Sequence, residues 1–406
     1  MTELRPDLRR DLPADLSDLA EDADLAERIR EEIGRAGPIP FARFMELALY
    51  DPAGGYYRSP EARPGRGGDF LTAPELHPIF GEMVARAVVQ AWEGLGRPDP
   101  FVVREHGAGD GALAAPMLAS LRSTPLGAIV RYQAVEIDDR RLTRVRERLS
   151  VDGLADQLEP VSDRPFDGVV LANEVLDALP VHRVRRRGDS VRELAVDREV
   201  DGSFVEVEIE PSTPALAARL AAEGIDLDDG QTAEICLAFD AWIADGVAPL
   251  RRGLIVLIDY GARAADLYDP VRRRDGTLRA YVRHQVHDDP YRFVGKQDLT
   301  AHVDVTAVER AAQAAGLGTV GITTQAEALI GLGIEDRLRE IQADPATTFE
   351  GYTLLRSALR HLLDPAVMGR FRVMAFGRDW PDDVALGLFG YRLRARGRDA
   401  TTQDEY

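Results

Sequence analysis

The 406-residue chain has one cysteine, Cys236, and one lysine, Lys296. A lone cysteine excludes an intramolecular disulfide and any cysteine-rich zinc or iron–sulfur site. A lone lysine leaves a single candidate for Schiff-base chemistry. Positive charge is scarce as well: 50 Lys and Arg stand against 69 Asp and Glu, a formal net charge of −19. That balance argues against electrostatic capture of DNA, RNA or an anionic membrane and suits a basic or neutral substrate. Long apolar runs are missing. The densest, Leu254-Ile-Val-Leu-Ile258, falls far short of the ~18 residues that span a bilayer. Residues 1–24 mix arginine with many carboxylates and lack an apolar centre, unlike a signal or transit peptide, so a cytoplasmic protein is expected.

What is present reads as an α/β protein. Residues 1–95 are expected to form a helical extension, with helices at 25–34 and 41–50 and a Gly- and Pro-rich covering loop that leads into a helix over 77–92. From 96 to 380, apolar strands alternate with helices, the pattern of a mostly parallel sheet covered on both faces. Counting a weak strand near 157–162, the sheet is expected to have seven strands. An insertion at about 182–230 should hold a β-hairpin, Val191–Val196 with Phe204–Ile209 around Asp201-Gly-Ser203. A helix near 233–245, a long charged loop over 262–303, a helix near 325–342 and a polar tail over 381–406 complete the expectation.

Two constellations carry chemistry. In Phe101-Val-Val-Arg-Glu-His-Gly-Ala-Gly-Asp-Gly111 a short strand runs into alternating glycines, Gly107, Gly109 and Gly111, and then into a helix. Glycine permits a tight turn and close approach of a ligand to the backbone. The next strand ends at Glu136, where a carboxylate can accept hydrogen bonds from two ribose hydroxyls. Together they describe a site for a nucleoside-containing cofactor. The second constellation, Asn173, Glu174 and Asp177, follows the buried strand Phe166–Asn173. At the C-terminal edge of an open α/β sheet such groups face ligands, and two carboxylates there could grip an amine or guanidinium. The same residues could instead simply cap the following turn.

Gly37-Pro-Ile-Pro-Phe-Ala-Arg-Phe-Met45, Gly68-Asp-Phe-Leu-Thr-Ala-Pro-Glu75, Asn173-Glu-Val-Leu-Asp-Ala-Leu-Pro180, Ile258-Asp-Tyr-Gly261 and Met368-Gly-Arg-Phe-Arg-Val-Met374 resemble the MidA family. The resemblance runs from about residue 25 to 378. It implies a class I (Rossmann-like) S-adenosyl-L-methionine-dependent methyltransferase, in a family whose mitochondrial representative is an arginine methyltransferase. It places the methionine part of the cofactor against Gly107, Gly109 and Gly111, with Glu105 near its ammonium and Glu136 on the ribose. It also implies that Phe70, Thr72, Pro74 and Glu75 of the covering loop close the pocket together with Asn173, Glu174 and Asp177, with Asp259 and Tyr260 at the next strand end. Two departures from the family stand out: His106 is bulky for the entrance to a glycine turn, and the segment between Gln157 and Asp167 is short at the adenine pocket, where Asp163 would otherwise be the contact.

Methyl transfer to an arginine side chain of a protein partner is the expected activity, with Glu174, Asp177, Asp259 and Tyr260 as catalytic candidates. A small-molecule or peptide acceptor, methylated on nitrogen or oxygen with His182 or Asp177 as base, stays open. So does a non-catalytic assembly factor with the same fold. A nicotinamide dehydrogenase fits less well, because Glu136 lies well beyond the roughly 20-residue spacing of that fingerprint. His284, His287, His302 and Asp304 make only a loose metal-ligand pattern, and no metal is expected.

Overall fold

The computed structural model describes residue 16 and residues 19–59, 71–283 and 285–391. Phe70, His284 and the expected tail from 392 onward lie outside the described residues. Strand β1 (Phe101–His106), β2 (Val130–Val135) and β3 (Phe166–Asn173) are buried along nearly their whole length. Continuous apolar runs of this kind are what a parallel sheet covered on both faces requires. Next come β4 (His182–Arg187), β5 (Ser190–Arg198), β6 (Phe204–Ile209) and β7 (Thr232–Ile235). The core resumes with β8 (Leu250–Asp259), β9 (Gly318–Thr324) and β10 (Arg372–Arg378).

The main sheet has the order β9–β10–β8–β3–β1–β2. Strands β8, β3, β1 and β2 are parallel, and β10 runs antiparallel to both its neighbours. It is thus six-stranded where seven strands were expected. The segment near 157–162 supplies one parallel bridge, Leu158 to Tyr132. Pro160 and Pro165 account for this, since each lacks an N–H and restrains the residue before it.

Helices α1 (Ala23–Ala36), α2 (Phe41–Tyr50), α3 (Ile79–Gly94), α4 (Ala114–Arg122), α5 (Asp139–Val151), α6 (Phe239–Val247) and α7 (Val305–Ala314) divide between two cores. Phe80, Met83, Met117 and Leu149 join α3, α4 and α5 in one. Leu25, Phe41, Ile243 and Val308 join α1, α2, α6 and α7 in the other. The N-terminal helices therefore pack with α6 and α7 in the second core. The chain leaves β1 for β2 on one side and then reaches β3 on the other, so the crevice at the C-terminal ends of these strands is the topological switch point.

Four local expectations change. The hairpin forms as β5–β6, but within a five-stranded antiparallel sheet that includes β4, β7 and the two residues Ile39–Pro40. The helix expected over 233–245 divides into β7 and α6, because hydrogen bonding of β7 to β4 overrides the helical spacing of its apolar residues. The stretch 262–303 is no open loop: Arg279–Val282, Gln285–His287 and Asp298–Thr300 pair into a small sheet, with Phe293, Val294 and Leu299 buried. The helix expected near 325–342 divides at Gly333, whose φ is 83°. Among the described residues, no helix is long and apolar enough to cross a membrane.

Candidate active site

Gly107, Gly109 and Gly111 follow β1 with φ of 69°, 59° and 84°, the left-handed region that other residues enter only with strain. They differ in surroundings. A Cβ on Gly107 would lie 2.6 Å from Val175 Cγ2, whereas one on Gly109 would meet no protein atom within 4 Å. Gly109 N–H donates to Glu136 Oε1 at 2.6 Å, and Ile137 N–H to Glu136 Oε2 at 3.2 Å. Burial raises the Glu136 pKa, while Arg141 opposes the shift. At the end of β1, Glu105 is 3% exposed and accepts a hydrogen bond from Tyr132 Oη at 2.6 Å. Burial pushes its carboxyl up to about 8, with the Tyr132 hydroxyl acting against the shift.

These groups line a cavity of about 570 Å³. Thr72, Pro74, Glu75, Glu105, Gly107, Gly109, Glu136, Asn173 and Glu174 all contribute to its wall. Gly111 stands behind the turn, where a Cβ would lie 3.5 Å from Val145 of α5. Asp163, Asp177, Asp259 and Tyr260 do not reach the cavity surface. The sequence reading missed Glu46 and Tyr50 of α2, Tyr57, Arg141, Ala238 and Trp242, which also line it. Packing of α2 and α6 over the strand ends brings in Glu46, Tyr50 and Trp242, while Arg141 comes from α5. His106 is accommodated outside the glycine turn: its ring meets Trp242 edge-on at 5.3 Å, and burial pushes its pKa down to about 4, so the imidazole is neutral.

The opposite wall is built around the turn after β3. Glu174 has φ 53°, and its N–H donates to Ile258 O at 2.8 Å, continuing the β3–β8 ladder. Its Oε1 accepts from Ala73 N–H and from Asn173 Nδ2, both at 3.1 Å. Burial pushes the Glu174 carboxyl up to about 8, opposed by the Ala73 bond and reinforced by Asp177 and Glu75. Glu75 Oε2 in turn accepts from the Thr72 N–H at 3.2 Å and hydroxyl at 3.1 Å, closing the short helix Ala73–Leu76.

Behind this wall lie the remaining candidates. Tyr260 Oη donates to Asp177 Oδ2 at 2.5 Å, and burial pushes the Asp177 carboxyl up to about 6. Asp259 is 1% exposed. Its Oδ2 accepts the N–H groups of Val175, Leu176 and Asp177 at 3.2, 2.9 and 3.2 Å, and its Oδ1 accepts that of Tyr260 at 2.8 Å. Burial and the neighbouring Asp177 and Glu174 carboxylates raise its pKa against those N–H groups. The expectation that Asp177 itself meets the acceptor, together with Asp259 and Tyr260, finds these side chains engaged with each other and with backbone.

The arrangement suits a cationic, phosphate-free cofactor. Glu136 already occupies the Gly109 N–H that a phosphate would need. The open space beside Gly109 lets a ligand approach the backbone there. Among the described residues, no group of three or more His, Cys, Asp or Glu side chains is placed to hold a metal.

Comparison with known proteins agrees with this chemistry. A family model described as "Putative S-adenosyl-L-methionine-dependent methyltransferase" matches residues 83–323. The chain is 30% identical over 382 residues to "Protein arginine methyltransferase NDUFAF7 homolog, mitochondrial" of Drosophila melanogaster, covering 86% of this chain and 84% of the relative. It is 29% identical over 380 residues to "Protein arginine methyltransferase NDUFAF7, mitochondrial" of Mus musculus, covering 85% and 82%. A crystal structure of a COG1565 superfamily member from Burkholderia thailandensis, bound to S-adenosyl-homocysteine, superposes with a TM-score of 0.83 at 38% identity, covering 91% of this chain and 96% of that one. The names of the fly and mouse relatives point away from a purely cytoplasmic location, which corrects the expectation drawn from residues 1–24. With a family match over more than half its length and a close structural counterpart holding the demethylated cofactor, the chain belongs to the MidA family of S-adenosyl-L-methionine-dependent methyltransferases.

Proposed function

We propose that the methyl acceptor is a nitrogen of an arginine side chain on a protein partner. The observation that carries this reading is Glu174, a carboxylate on the wall of the same cavity as the glycine turn. The names of the fly and mouse relatives support it.

When bound, S-adenosyl-L-methionine supplies a methyl group on a sulfonium. Gly107 and Gly109 would hold its methionine part, with Gly111 keeping the turn; Glu105 would face its ammonium and Glu136 its ribose hydroxyls. Thr72, Pro74, Glu75 and Asn173 close the site around it, and Phe70 belongs to the same covering stretch. Glu174 would meet the guanidinium. A cation beside a buried carboxyl favours its ionised form, and the resulting pair orients the acceptor nitrogen and excludes water. As the nitrogen gains a methyl group it must lose a proton. The free oxygen of the Glu174 carboxylate is placed to take that proton and pass it to solvent. Asp177, Asp259 and Tyr260 support Glu174 from behind.

The test incubates the purified chain with isotopically labelled S-adenosyl-L-methionine and a protein extract from cells lacking the gene. Mass spectrometry should find label on arginine nitrogens, and Glu174→Gln should remove it. If label enters only metabolites or peptides, or only residues other than arginine, the proposed acceptor is wrong and methyl transfer stands.

A further inference from the structure

We infer that Asp259 is a positioning residue: its carboxylate gathers the three N–H groups that follow Glu174 and so holds Glu174 in the left-handed backbone conformation that presents it to the cavity. The inference rests on the reading of Glu174 as the carboxylate that meets the acceptor. It replaces a direct catalytic part for Asp259 with one exerted through the backbone.

The geometry leaves Asp259 little else to do. It is 1% exposed and absent from the cavity wall. Three of its four hydrogen bonds go to consecutive residues, Val175, Leu176 and Asp177, all on one oxygen. N–H groups from consecutive residues converge in this way only when the chain turns sharply around an anion. Glu174 stands at the head of that turn with φ 53°, a conformation a β-carbon disfavours and which persists only where surrounding bonds over-determine it. On its N-terminal side Glu174 is fixed by the bond from its own N–H to Ile258 O, the residue before Asp259. On its C-terminal side the Asp259 carboxylate is what fixes it. The adjacent Tyr260 secures the far end of the turn through Asp177. One strand end, Ile258 to Tyr260, therefore grips the whole of 174–177. Without the carboxylate, the turn can relax to negative φ, which swings the Glu174 side chain away from Ala73 and from the acceptor.

The experiment is a double-mutant cycle on the full chain, with Asp259→Asn, Glu174→Gln and the pair together, read as kcat on an arginine peptide, pH profile and affinity for S-adenosylhomocysteine. Asp259→Asn keeps the shape but turns one accepting oxygen into a donor facing N–H groups. Expected are cofactor-product affinity within about 3-fold of the parent, a kcat loss of about 30-fold, and no further loss beyond about 3-fold when the change is made in the Glu174→Gln background. The inflection belonging to Glu174 should also move to lower pH. The ionisable groups facing it are Glu75 on the covering helix, Asp177 in its own turn and Asp259 on β8, and release of the turn takes Glu174 away from burial and from the Glu75 and Asp177 carboxylates that raise it. A merely structural loss would lower the active fraction, add to the effect of Glu174→Gln and leave the inflection in place. If Asp259→Asn does not fold, Asp259→Glu carries the same cycle, since it keeps the charge and displaces the accepting oxygens by a methylene. Parental kcat with an unmoved inflection, or additivity with Glu174→Gln, overturns the positioning role. Parental activity of Glu174→Gln alone overturns the acceptor reading instead, so the two failures are separable.

Discussion

On the cofactor side of the cavity, most groups come from the single stretch Glu105 to Leu113, joined by Glu136 at the end of the neighbouring strand. On the acceptor side, Tyr50 comes from α2, Glu75 from the short helix before α3, Glu174 from the turn after β3 and Trp242 from α6. The first wall is made by local backbone geometry. The second is made by tertiary hydrogen bonds such as Tyr50 Oη to Ala178 O at 2.8 Å and the Asp259 contacts to the 175–177 backbone. A local wall depends on the conformations its own residues can adopt. A tertiary wall depends on whether distant segments stay in place. The two walls touch at Gly107, which abuts Val175.

Gly107→Ala should therefore give the largest effect, because it strikes both walls. The left-handed φ costs about 1 kcal/mol and forcing a Cβ to 2.6 Å from Val175 a further 1–3 kcal/mol. A drop in melting temperature, loss of S-adenosylhomocysteine binding and loss of transfer should appear together. Gly109→Ala, strained in φ but free of protein neighbours, should weaken the cofactor with less damage to the fold. If the two glycine variants behave alike, the interlock at Val175 has no energetic weight.

Glu174→Gln comes next and separates the walls. It should cut methyl transfer by roughly 100-fold while leaving cofactor affinity near the parent's, since it removes a charge and a proton acceptor but little volume. Equal losses of cofactor binding and transfer would mean that the two walls are one site energetically. Glu136→Ala should do the reverse on a smaller scale, weakening S-adenosylhomocysteine by about 10-fold, the worth of one or two hydrogen bonds to a charged group. Titration calorimetry distinguishes these outcomes.

The same contrast sets what the sequence could reveal. Gly107, Gly109 and Glu136 stand out because a strand, a turn and the next strand end are all local patterns. Asn173-Glu174 stands out for the same reason. Trp242 carries no such signal: it is one aromatic on a helix, and its exposure to the cavity follows from how α6 settles on the sheet. Asp259 could be placed at a strand end, but its partners are backbone N–H groups, which a sequence cannot show. The fold followed the apolar alternation through the parallel strands. It departed at Thr232–Ile235, where pairing with β4 outweighs spacing, and within 262–303, where strands of three or four residues are too short to have a period.

The smallest effect expected is one of stability against pH, and it sharpens the comparison because each wall holds a carboxyl pushed up to about 8. Glu105 is 3% exposed, while Glu174 is half-buried with access to the cavity. An unfolded glutamate ionises near 4.3, so between that value and about 8 the unfolded chain has lost a proton that the folded chain retains. Each residue thus contributes stability that is complete below the unfolded pKa and falls away as pH rises through the folded one. The fall between pH 5 and 8 should be larger for the buried Glu105 than for the solvent-reached Glu174. Glu105→Gln keeps an oxygen to accept from Tyr132 and removes the ionisation, so its denaturation midpoint should vary less with pH than the parent's. Glu174→Gln should flatten the curve less. Equal flattening by both would mean that water reaches neither wall in the cofactor-free protein, and no flattening by Glu105→Gln would mean that the buried carboxyl at the glycine turn titrates as it does in the unfolded chain.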